Sequence, residues 1–213
     1  MVISDEANVE LKGVSVSQPI RTFIAIEVSP EIRAQAVKLV RLLRNSDAKI
    51  RWVESENMHF TLKFLGNISE VDVYGVCRGV EKAVGRMAPF QIDVRQVGAF
   101  PSIQRPHTLW MGASSQEPLS NEEAPIIAAF SAIEHQLQLL GYRRESRRYQ
   151  PHLTIGRVIG RGQATENLTA LLADNAEFQA GGMFVEEVTI FSSTLHQEGP
   201  TYEVMGRVPL RGE

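Results

Sequence analysis

The chain alternates between apolar runs of strand length and segments whose apolar residues recur at helical spacing. Residues Arg21 to Val28 (RTFIAIEV) form a nearly continuous apolar run, which is typical of a buried central strand. Ser29 and Pro30 then predict a helix start, and the helix should continue to about Arg44. The apolar residues at helical spacing within it are Ile32, Ala36, Leu39, Val40 and Leu43.

The same patterns predict the remaining elements and an α+β fold. Strands are expected at Lys49–Val53, Met58–Leu65, Phe90–Phe100, His107–Gly112, Phe184–Leu195 and Tyr202–Leu210. A further strand is expected after Gln150 and Pro151, and it should end at Val158. Helices are expected at Val71–Met87, Glu122–Leu140 with Gly141 as its C-cap, and Thr165–Ala173. Loops are expected at Pro101–Pro106 and Ser114–Asn121, and a turn at Gln197–Thr201. Because the element order is similar in the two halves, it indicates an internal duplication.

Composition and charge narrow the class of protein. The 213 residues are 43% hydrophobic and 22% charged, as in ordinary globular proteins, and the net charge of −3 requires any nucleic-acid contact to come from a local patch. The single Cys77 excludes an intramolecular disulfide and a cysteine zinc site. No apolar run reaches membrane-spanning length, and no signal-peptide pattern opens the chain. We expect a cytoplasmic protein with a flexible extension over residues 1–18 and one domain over residues 19–213.

One tetrapeptide pattern, His-apolar-Thr-apolar, occurs once in each half. The copies are His59-Phe60-Thr61-Leu62 and His152-Leu153-Thr154-Ile155, both in strand-like segments. Since side chains alternate along a strand, each copy places its His and Thr on one face and its apolar residues on the other. A single copy is an ordinary strand segment, but two copies, one in each half, indicate that both belong to one site. Strict alternation also places Lys63 on the face of His59 and Thr61.

Several other kinds of site fit the sequence poorly. A transition-metal site usually needs three or more His, Cys or carboxylate ligands, and neither motif adds an acidic residue to the His-bearing face. The Gly-x-Ser-x-Gly elbow of serine hydrolases, the phosphate-binding Walker loop and the dinucleotide fingerprint are all absent from the sequence.

Phosphodiester hydrolysis uses all four polar residues of the two motifs. Displacement at phosphorus places the attacking and leaving oxygens on opposite sides of the atom, so one imidazole can act as base on one side and the other as acid on the opposite side. The two threonine hydroxyls can donate hydrogen bonds to the non-bridging oxygens. The two histidines must begin in opposite protonation states, which predicts a bell-shaped pH profile. This scheme needs no metal and no cofactor.

The sequence resembles the two-histidine phosphoesterase superfamily, and within it the bacterial and archaeal RNA 2′,3′-cyclic phosphodiesterases, historically called 2′-5′ RNA ligases. The similar stretches extend almost throughout Pro19–Leu210. They are Arg21–Glu27, Arg51–Val53, Glu56–Gly66, Val97–Pro101, Arg105–Pro106, Leu109–Trp110, Pro151–Arg157 and Gly199–Tyr202.

This resemblance implies a bilobal fold, in which two antiparallel sheets are related by a pseudo-two-fold, with helices outside and a central cleft. It implies hydrolysis of an RNA-terminal 2′,3′-cyclic phosphate to a 2′-phosphate, with His59 as proton donor and His152 as proton acceptor. Thr61 and Thr154 would contact the phosphate. Separately, we expect the protein to be a monomer. The donor and acceptor labels can be exchanged without contradiction in the sequence. Alternatives are action on small cyclic or 2′-5′ linked nucleotides, weak reversible 2′-5′ ligation, and a non-catalytic RNA-binding or nucleotide-binding module.

Four further residues are candidates for substrate contact. Lys63 could approach a phosphate, although a charged residue at a strand end is more often solvated. Arg157 belongs to the second resembling motif, but strict alternation turns it away from the face of His152 and Thr154. Phe23 and Tyr149 could pack against a nucleobase, with core packing the favoured role for Phe23.

A basic segment precedes the second motif strand. The hypothesis is that it binds the RNA backbone, and a solvated loop is the alternative. Its arginines are Arg143, Arg144, Arg147 and Arg148. The other histidines, which are given no catalytic role, are His107, His135 and His196.

Overall fold

The computed structural model describes residues 19–114, 124–159, 165–197 and 199–212. Its strands are β1 Ile20–Glu27, β2 Ile50–Trp52, β3 His59–Ile68, β4 Phe90–Ser102, β5 Arg105–Ser114, β6 His152–Val158, β7 Gln179–Val185, β8 Glu187–Leu195 and β9 Pro200–Pro209. Its helices are α1 Pro30–Leu43, α2 Glu70–Val84, α3 Pro125–Leu139 and α4 Glu166–Asp174, with a 3₁₀ turn at Ser55–Asn57. The predicted extension over residues 1–18 and most of the predicted loop Ser114–Asn121 lie outside the described residues.

The nine strands are antiparallel and lie in the order β7-β4-β5-β6-β3-β1-β8-β9, with β2 paired to β6. The predicted α+β fold is confirmed. The two halves meet where β3 and β6 adjoin, and a single residue pair, Phe60 with Leu153, is in register there. Each half therefore extends outward from its own motif strand, and the two halves are continuous at that seam.

The helices connect the two halves as well as covering them. Helix α1 packs against β7 and α4, whereas α3 packs against β3 and α2. The apolar side chains of α1 predicted from helical spacing are all buried. Both seam residues, Phe60 and Leu153, are fully buried in the same large core cluster. Because this core packs against the apolar face of both motif strands, it fixes the position of the residues on their other face.

Local sequence signals account for the helix ends. The Ser29 hydroxyl accepts a hydrogen bond from the backbone N–H of Ile32, which caps α1 as predicted. Gly141 has a φ of +89°, and its N–H donates to the carbonyl of Gln138 while that of Tyr142 donates to Leu137. This pair of bonds is the Schellman arrangement, in which glycine tolerates the left-handed conformation at the end of a helix.

Two predicted segments differ from the structure. The run Phe184–Leu195 was predicted as one strand, which is wrong, because the chain leaves β7 at Val185 and enters β8 at Glu187 in the other half. Continuous β propensity does not reveal a change of pairing partner. The predicted loop Pro101–Pro106 is mostly strand, since β4 ends at Ser102 and β5 begins at Arg105.

Candidate active site

The register across the seam brings the two motifs together. Phe60 pairs with Leu153, and continuing that antiparallel register sets His59 opposite Thr154 and Thr61 opposite His152. We call the sheet face that carries these four side chains the motif face. Diagonal neighbours across antiparallel strands lie about 7–8 Å apart. The two imidazoles therefore occupy opposite corners of a rectangle on one surface, and the two hydroxyls occupy the other corners.

Both imidazoles are held by the same backbone device. Nδ1 of His59 lies 2.8 Å from the carbonyl oxygen of Asn57, and Nδ1 of His152 lies 2.8 Å from that of Gln150. Since a carbonyl can only accept, Nδ1 carries the proton and donates in each case. The tautomer and ring orientation are thereby fixed, and Nε2 of each ring is left for proton transfer.

Each motif strand contains a bulge at the fourth residue of its motif. In β3, Thr61 and Lys63 pair with adjacent residues of β1, so Leu62 has no partner in that ladder. In β6, Thr154 and Gly156 pair with adjacent residues of β5, so Ile155 has none. An extra residue of this kind reverses the alternation of the side chains beyond it.

The bulges change which candidates reach the motif face. Arg157 pairs with Thr108, and Thr154 pairs with Trp110 two residues further along β5, so Arg157 and Thr154 share a face. The Arg157 guanidinium donates to the Thr108 hydroxyl over 3.3 Å. Strict alternation predicted that Arg157 points away from the motif face, and this prediction is wrong. The bulge places Arg157 on the motif face, where it can reach a bound substrate.

The same effect removes Lys63 from the motif face. Its ammonium group lies 2.5 Å from a carboxylate oxygen of Glu134 and donates to the carbonyl of Arg143 over 2.9 Å. The lysine side chain is 5% exposed and that of Glu134 is 1% exposed. The predicted placement beside His59 and Thr61 is wrong, and so is the solvated alternative. Phe64, rather than Lys63, pairs with Phe23 on the motif face and is 62% exposed.

The two aromatic candidates are placed within the protein's own packing. Phe23 is 3% exposed and stacks on the His59 ring with centroids 4.8 Å apart, so it supports the imidazole from the side. Tyr149 stacks on Phe130 with centroids 4.2 Å apart, and its hydroxyl donates to the carbonyl of Thr61 over 3.1 Å. Burial raises the pKa of that phenol, so it stays protonated as a donor.

His59 lies in aromatic surroundings. Besides Phe23, the ring of Tyr202 meets it edge-on with centroids 5.4 Å apart. Phe191 packs beside both rings, with its centroid 5.2 Å from that of Phe23 and 6.3 Å from that of His59. Burial lowers the pKa of His59 to about 4, whereas the Asn57 carbonyl and the negative charge of Glu27 act to raise it. In the ligand-free protein at neutral pH the His59 imidazole is therefore neutral.

His152 has a different environment. The ring of Phe100 meets it edge-on with centroids 4.9 Å apart. Burial lowers the pKa of His152, the Gln150 carbonyl acts to raise it, and the positive charge of Arg157 acts to lower it further. The charged neighbours of the two histidines thus have opposite signs: Glu27 favours the protonated form of His59, and Arg157 favours the neutral form of His152.

A groove of about 1060 Å³ extends from this surface. Its lining includes Thr61 and His152 from the motifs, together with Phe64, His107 and Thr108. Another part is formed by residues 143–148, four of which are arginines. The other two histidines without a predicted role are exposed, His135 on α3 and His196 beside Thr201.

Sequence reasoning missed three aromatic residues at the site: Phe64, Phe100 and Tyr202. Phe64 required knowledge of the bulge, and Phe100 required knowledge that β4 lies two strands from β6. All three had a signal, since they lie in the resembling stretches Glu56–Gly66, Val97–Pro101 and Gly199–Tyr202. The Asn57 side chain also donates to the carbonyl of Pro200 over 3.0 Å, which ties the β9 start to the residue that orients His59.

Within the described ranges, no group of three or more His, Cys, Asp or Glu side chains could hold a metal ion. No helix among the described residues is long and apolar enough to cross a membrane.

Comparison with known proteins identifies the family. The model of the LigT-like phosphoesterase family matches the chain twice, over residues 26–110 and 118–202, and each match contains one His-x-Thr motif. This protein belongs to that family, as its resemblance to two-histidine phosphoesterases predicted. The repeated match also agrees with the internal duplication of the fold.

Named relatives cover most of the chain. An RNA 2′,3′-cyclic phosphodiesterase of Methanothermobacter thermautotrophicus is 31% identical over 87% of this chain and 96% of its own length. An RNA 2′,3′-cyclic phosphodiesterase of Aquifex aeolicus is 30% identical over 91% of this chain and 98% of its own length. Among solved structures, TT0787 of Thermus thermophilus matches with a TM-score of 0.75 at 22% identity, covering 91% of this chain and 100% of its own. The E. coli LigT complex with 3′-AMP matches with a TM-score of 0.69 at 21% identity, covering 90% and 98%.

Proposed function

We propose that this protein hydrolyses the 2′,3′-cyclic phosphate at the 3′ end of RNA to a 2′-phosphomonoester. The observation that carries the proposal is the seam register, which places His59 and His152 at opposite corners of one polar rectangle. The relatives from Methanothermobacter and Aquifex, named as RNA 2′,3′-cyclic phosphodiesterases, support the same substrate class. The E. coli neighbour, whose fold is shared, was crystallised with the nucleotide 3′-AMP.

In the proposed reaction, His152 is the base and His59 is the acid. Nε2 of neutral His152 takes a proton from water as the water oxygen bonds to phosphorus. The bond between phosphorus and the 3′ oxygen breaks on the opposite side, and protonated Nε2 of His59 donates to that oxygen. The products are a 3′ hydroxyl and a 2′-phosphate, and exchange of protons with solvent restores the two imidazoles.

The charged neighbours support this assignment over the reverse. Glu27 acts to raise the pKa of His59, which suits an acid, and Arg157 acts to lower the pKa of His152, which suits a base. The low pKa of His59 in the ligand-free protein opposes its role as acid. A bound phosphate anion offsets this opposition, because a negative charge beside the imidazole favours its protonated form.

The threonines and Arg157 serve the phosphate in this proposal. Thr61 and Thr154 each lie across the seam from a histidine, so their hydroxyls can donate to the two non-bridging oxygens while the imidazoles act along the other diagonal. Arg157 shares the face of Thr154 and would add a charge-assisted hydrogen bond to the same anion. Phe23 and Tyr149 contribute by holding His59 and the backbone of Thr61, respectively.

The test is to incubate the purified protein with an oligonucleotide that ends in a 2′,3′-cyclic phosphate, in ¹⁸O-labelled water. We expect a 2′-phosphate, identified by ³¹P NMR, that carries one ¹⁸O atom. A 3′-phosphate product would contradict the proposed departure of the 3′ oxygen, and no turnover would contradict the function. Activity should persist in EDTA, and loss with rescue by a divalent cation would contradict the metal-independent mechanism.

A further inference from the structure

Residues 143–148, which connect α3 to the second motif strand, form a basic wall of the groove. We call them the arginine segment. All six residues line the groove that Thr61 and His152 also line. Its arginine side chains are exposed at positions 143, 144, 147 and 148. Their positive charge therefore lies close to the polar rectangle of the motifs.

A buried ion pair holds the backbone of this segment. Lys63 in β3 donates from its ammonium group to the carbonyl of Arg143 over 2.9 Å. Its partner Glu134 in α3 accepts from the backbone N–H of Glu145 over 2.8 Å. Each member of the pair thus makes one bond to the segment and one to the other member. Lys63 comes directly after the bulge in the first motif strand, so the segment is attached to the strand that carries His59 and Thr61.

The segment's own acidic residue leaves its arginines free for an anion. The Glu145 carboxylate accepts from the backbone N–H groups of Ser146 and Arg147, over 3.0 and 3.1 Å. Its negative charge is therefore directed at its own backbone. Across the described ranges, the four guanidinium groups of the segment take part in no ion pair.

Size and charge together define the ligand. Pockets for small molecules usually measure about 300–1,000 Å³, and this groove, at about 1060 Å³, is slightly larger than that range. It has room for more than one nucleotide. Planar guanidinium groups bind phosphate through paired, charge-assisted hydrogen bonds. A run of them beside a phosphodiester site matches a single-stranded RNA backbone.

We propose that the arginine segment binds the phosphates of the RNA strand on the 5′ side of the cyclic end, and that the Lys63–Glu134 pair positions it. This inference rests on the proposed function for the identity of the strand. Lys63 and Glu134 also line the groove, but their charged groups bind each other and the backbone of residues 143 and 145, so we assign them as positioning residues. The segment therefore sets affinity for an oligonucleotide, whereas the motifs set the rate of the chemical step.

The first experiment compares two double charge reversals. R147E/R148E changes the segment, and K38E/R41E makes the same change in charge at exposed positions of α1, away from the groove. Both are assayed with a cyclic-ended oligonucleotide and a 2′,3′-cyclic mononucleotide. We expect R147E/R148E to raise the KM for the oligonucleotide roughly tenfold, with a smaller effect on the mononucleotide. K38E/R41E should match the wild type with both substrates.

Salt dependence gives a readout specific to phosphate contacts. For single strands, log K changes with log[salt] by about 0.7 per phosphate contact. The wild type and K38E/R41E should therefore show a steeper slope for the oligonucleotide than R147E/R148E, by about 1.4 if each arginine holds one phosphate. Equal slopes in all three proteins would overturn the proposed role of the segment.

The second experiment tests the positioning pair. Glu134→Gln removes the charge but leaves an amide that can still accept a bond, and K63M/E134L replaces the whole pair with apolar side chains. Replacing both members avoids leaving one buried charge unpaired, so the double variant should fold even where the single one does not. We expect K63M/E134L to raise the oligonucleotide KM severalfold with little change in kcat, and to speed amide hydrogen exchange in residues 143–148. An unchanged KM with faster exchange would overturn the positioning role.

A binding assay separates this inference from the proposed function. Fluorescence anisotropy with an oligonucleotide that ends in a 2′-phosphate reports affinity without turnover. If the wild type hydrolyses the cyclic end but R147E/R148E binds this probe as tightly as K38E/R41E, the segment is not the RNA surface and the function stands. If the wild type hydrolyses nothing yet its binding depends on the arginines, the surface stands and the function fails.

Discussion

The two motif strands, β3 and β6, show how one pattern serves two chemical roles. Both present His and Thr on the motif face, both fix the imidazole through Nδ1 on the carbonyl two residues earlier, and both have a bulge at the fourth motif residue. These shared features control where Nε2 lies and which tautomer it has. They are what an in-line reaction needs on each side of the phosphorus atom.

The strands differ in the residues after the bulge and in the surroundings of each ring. Lys63 and Phe64 in β3 correspond to Gly156 and Arg157 in β6. Gly156 has no room for a side chain, since an added Cβ would lie 2.9 Å from atoms of Ile50 and Trp52. His59 has Glu27 as its charged neighbour, and His152 has Arg157. The duplication thus keeps the geometry that both roles need and varies the electrostatics that separate an acid from a base.

Removal of either imidazole should have the largest effect. We expect His59→Ala and His152→Ala each to lower kcat by on the order of 10²–10⁴, the usual contribution of one proton-transfer group. A 4-nitrophenyl phosphodiester distinguishes the roles, because its leaving group departs without protonation. With that substrate His59→Ala should recover most of the wild-type rate, and His152→Ala should not.

The opposite rescue pattern would exchange the acid and the base and leave the pair intact. Near-normal turnover of the cyclic substrate by either folded variant would contradict the two-histidine mechanism itself. Circular dichroism spectra that match the wild type establish that each variant is folded.

Thr61→Val and Thr154→Val test the other diagonal of the rectangle. Valine keeps the shape of threonine but cannot donate, so each variant should lose on the order of 10² in kcat, as when one donor to a developing oxyanion is removed. The two losses should be similar if the hydroxyls are equivalent. Thr194→Val, at an exposed position of β8, is the matched control and should retain full activity. If only one of the two variants lost activity, the two threonines would occupy equivalent positions on the motif face without making equivalent contributions to the rate.

Stability should depend on pH through His59 more than through an exposed histidine. The pKa of His59 is about 4 in the folded protein and 6.5 in the unfolded chain, so the unfolded state binds more protons between these values. Stability is therefore complete above 6.5 and is lost as pH falls toward 4, by roughly 3 kcal/mol in the free energy of unfolding. His59→Gln should remove the His59 part of this loss in urea titrations and leave the part that comes from His152, whose pKa burial also lowers. His135→Gln, at an exposed site on α3, should follow the wild type.

Local patterns were enough to predict most elements and the pairing of the motifs. Alternation along a strand places His59 with Thr61 and His152 with Thr154 without any knowledge of the fold, and the buried Phe60 and Leu153 confirm those faces. Helical spacing identified the buried face of α1 for the same reason. The membership of the family followed from the repeated motif and its flanking residues, and the family match confirms it.

The remaining features depend on contacts between distant residues. A bulge is set by the register of the neighbouring strand. Because of the two bulges, Arg157 lies on the motif face and Lys63 lies on the opposite face, the reverse of what strict alternation predicts for each. The partner of Lys63 is Glu134, 71 residues away, and no local signal joins the two. The acid and base labels likewise depend on Glu27 and Arg157, which come near the rings only in the folded protein.

The smallest expected effect is the most direct test of the difference between the strands. Glu27→Gln should lower the pKa of His59, because it removes a negative charge that favours the imidazolium form. Arg157→Gln should raise the pKa of His152, because it removes a positive charge that opposes protonation. NMR titration of the imidazole C–H signals measures both directly. Glu187→Gln is the matched control, since Arg207 binds both Glu27 and Glu187, but only Glu27 acts on His59. Shifts of the same sign in the first two variants would mean that the two strands do not differ electrostatically, and the assignment of His59 as acid would lose its support.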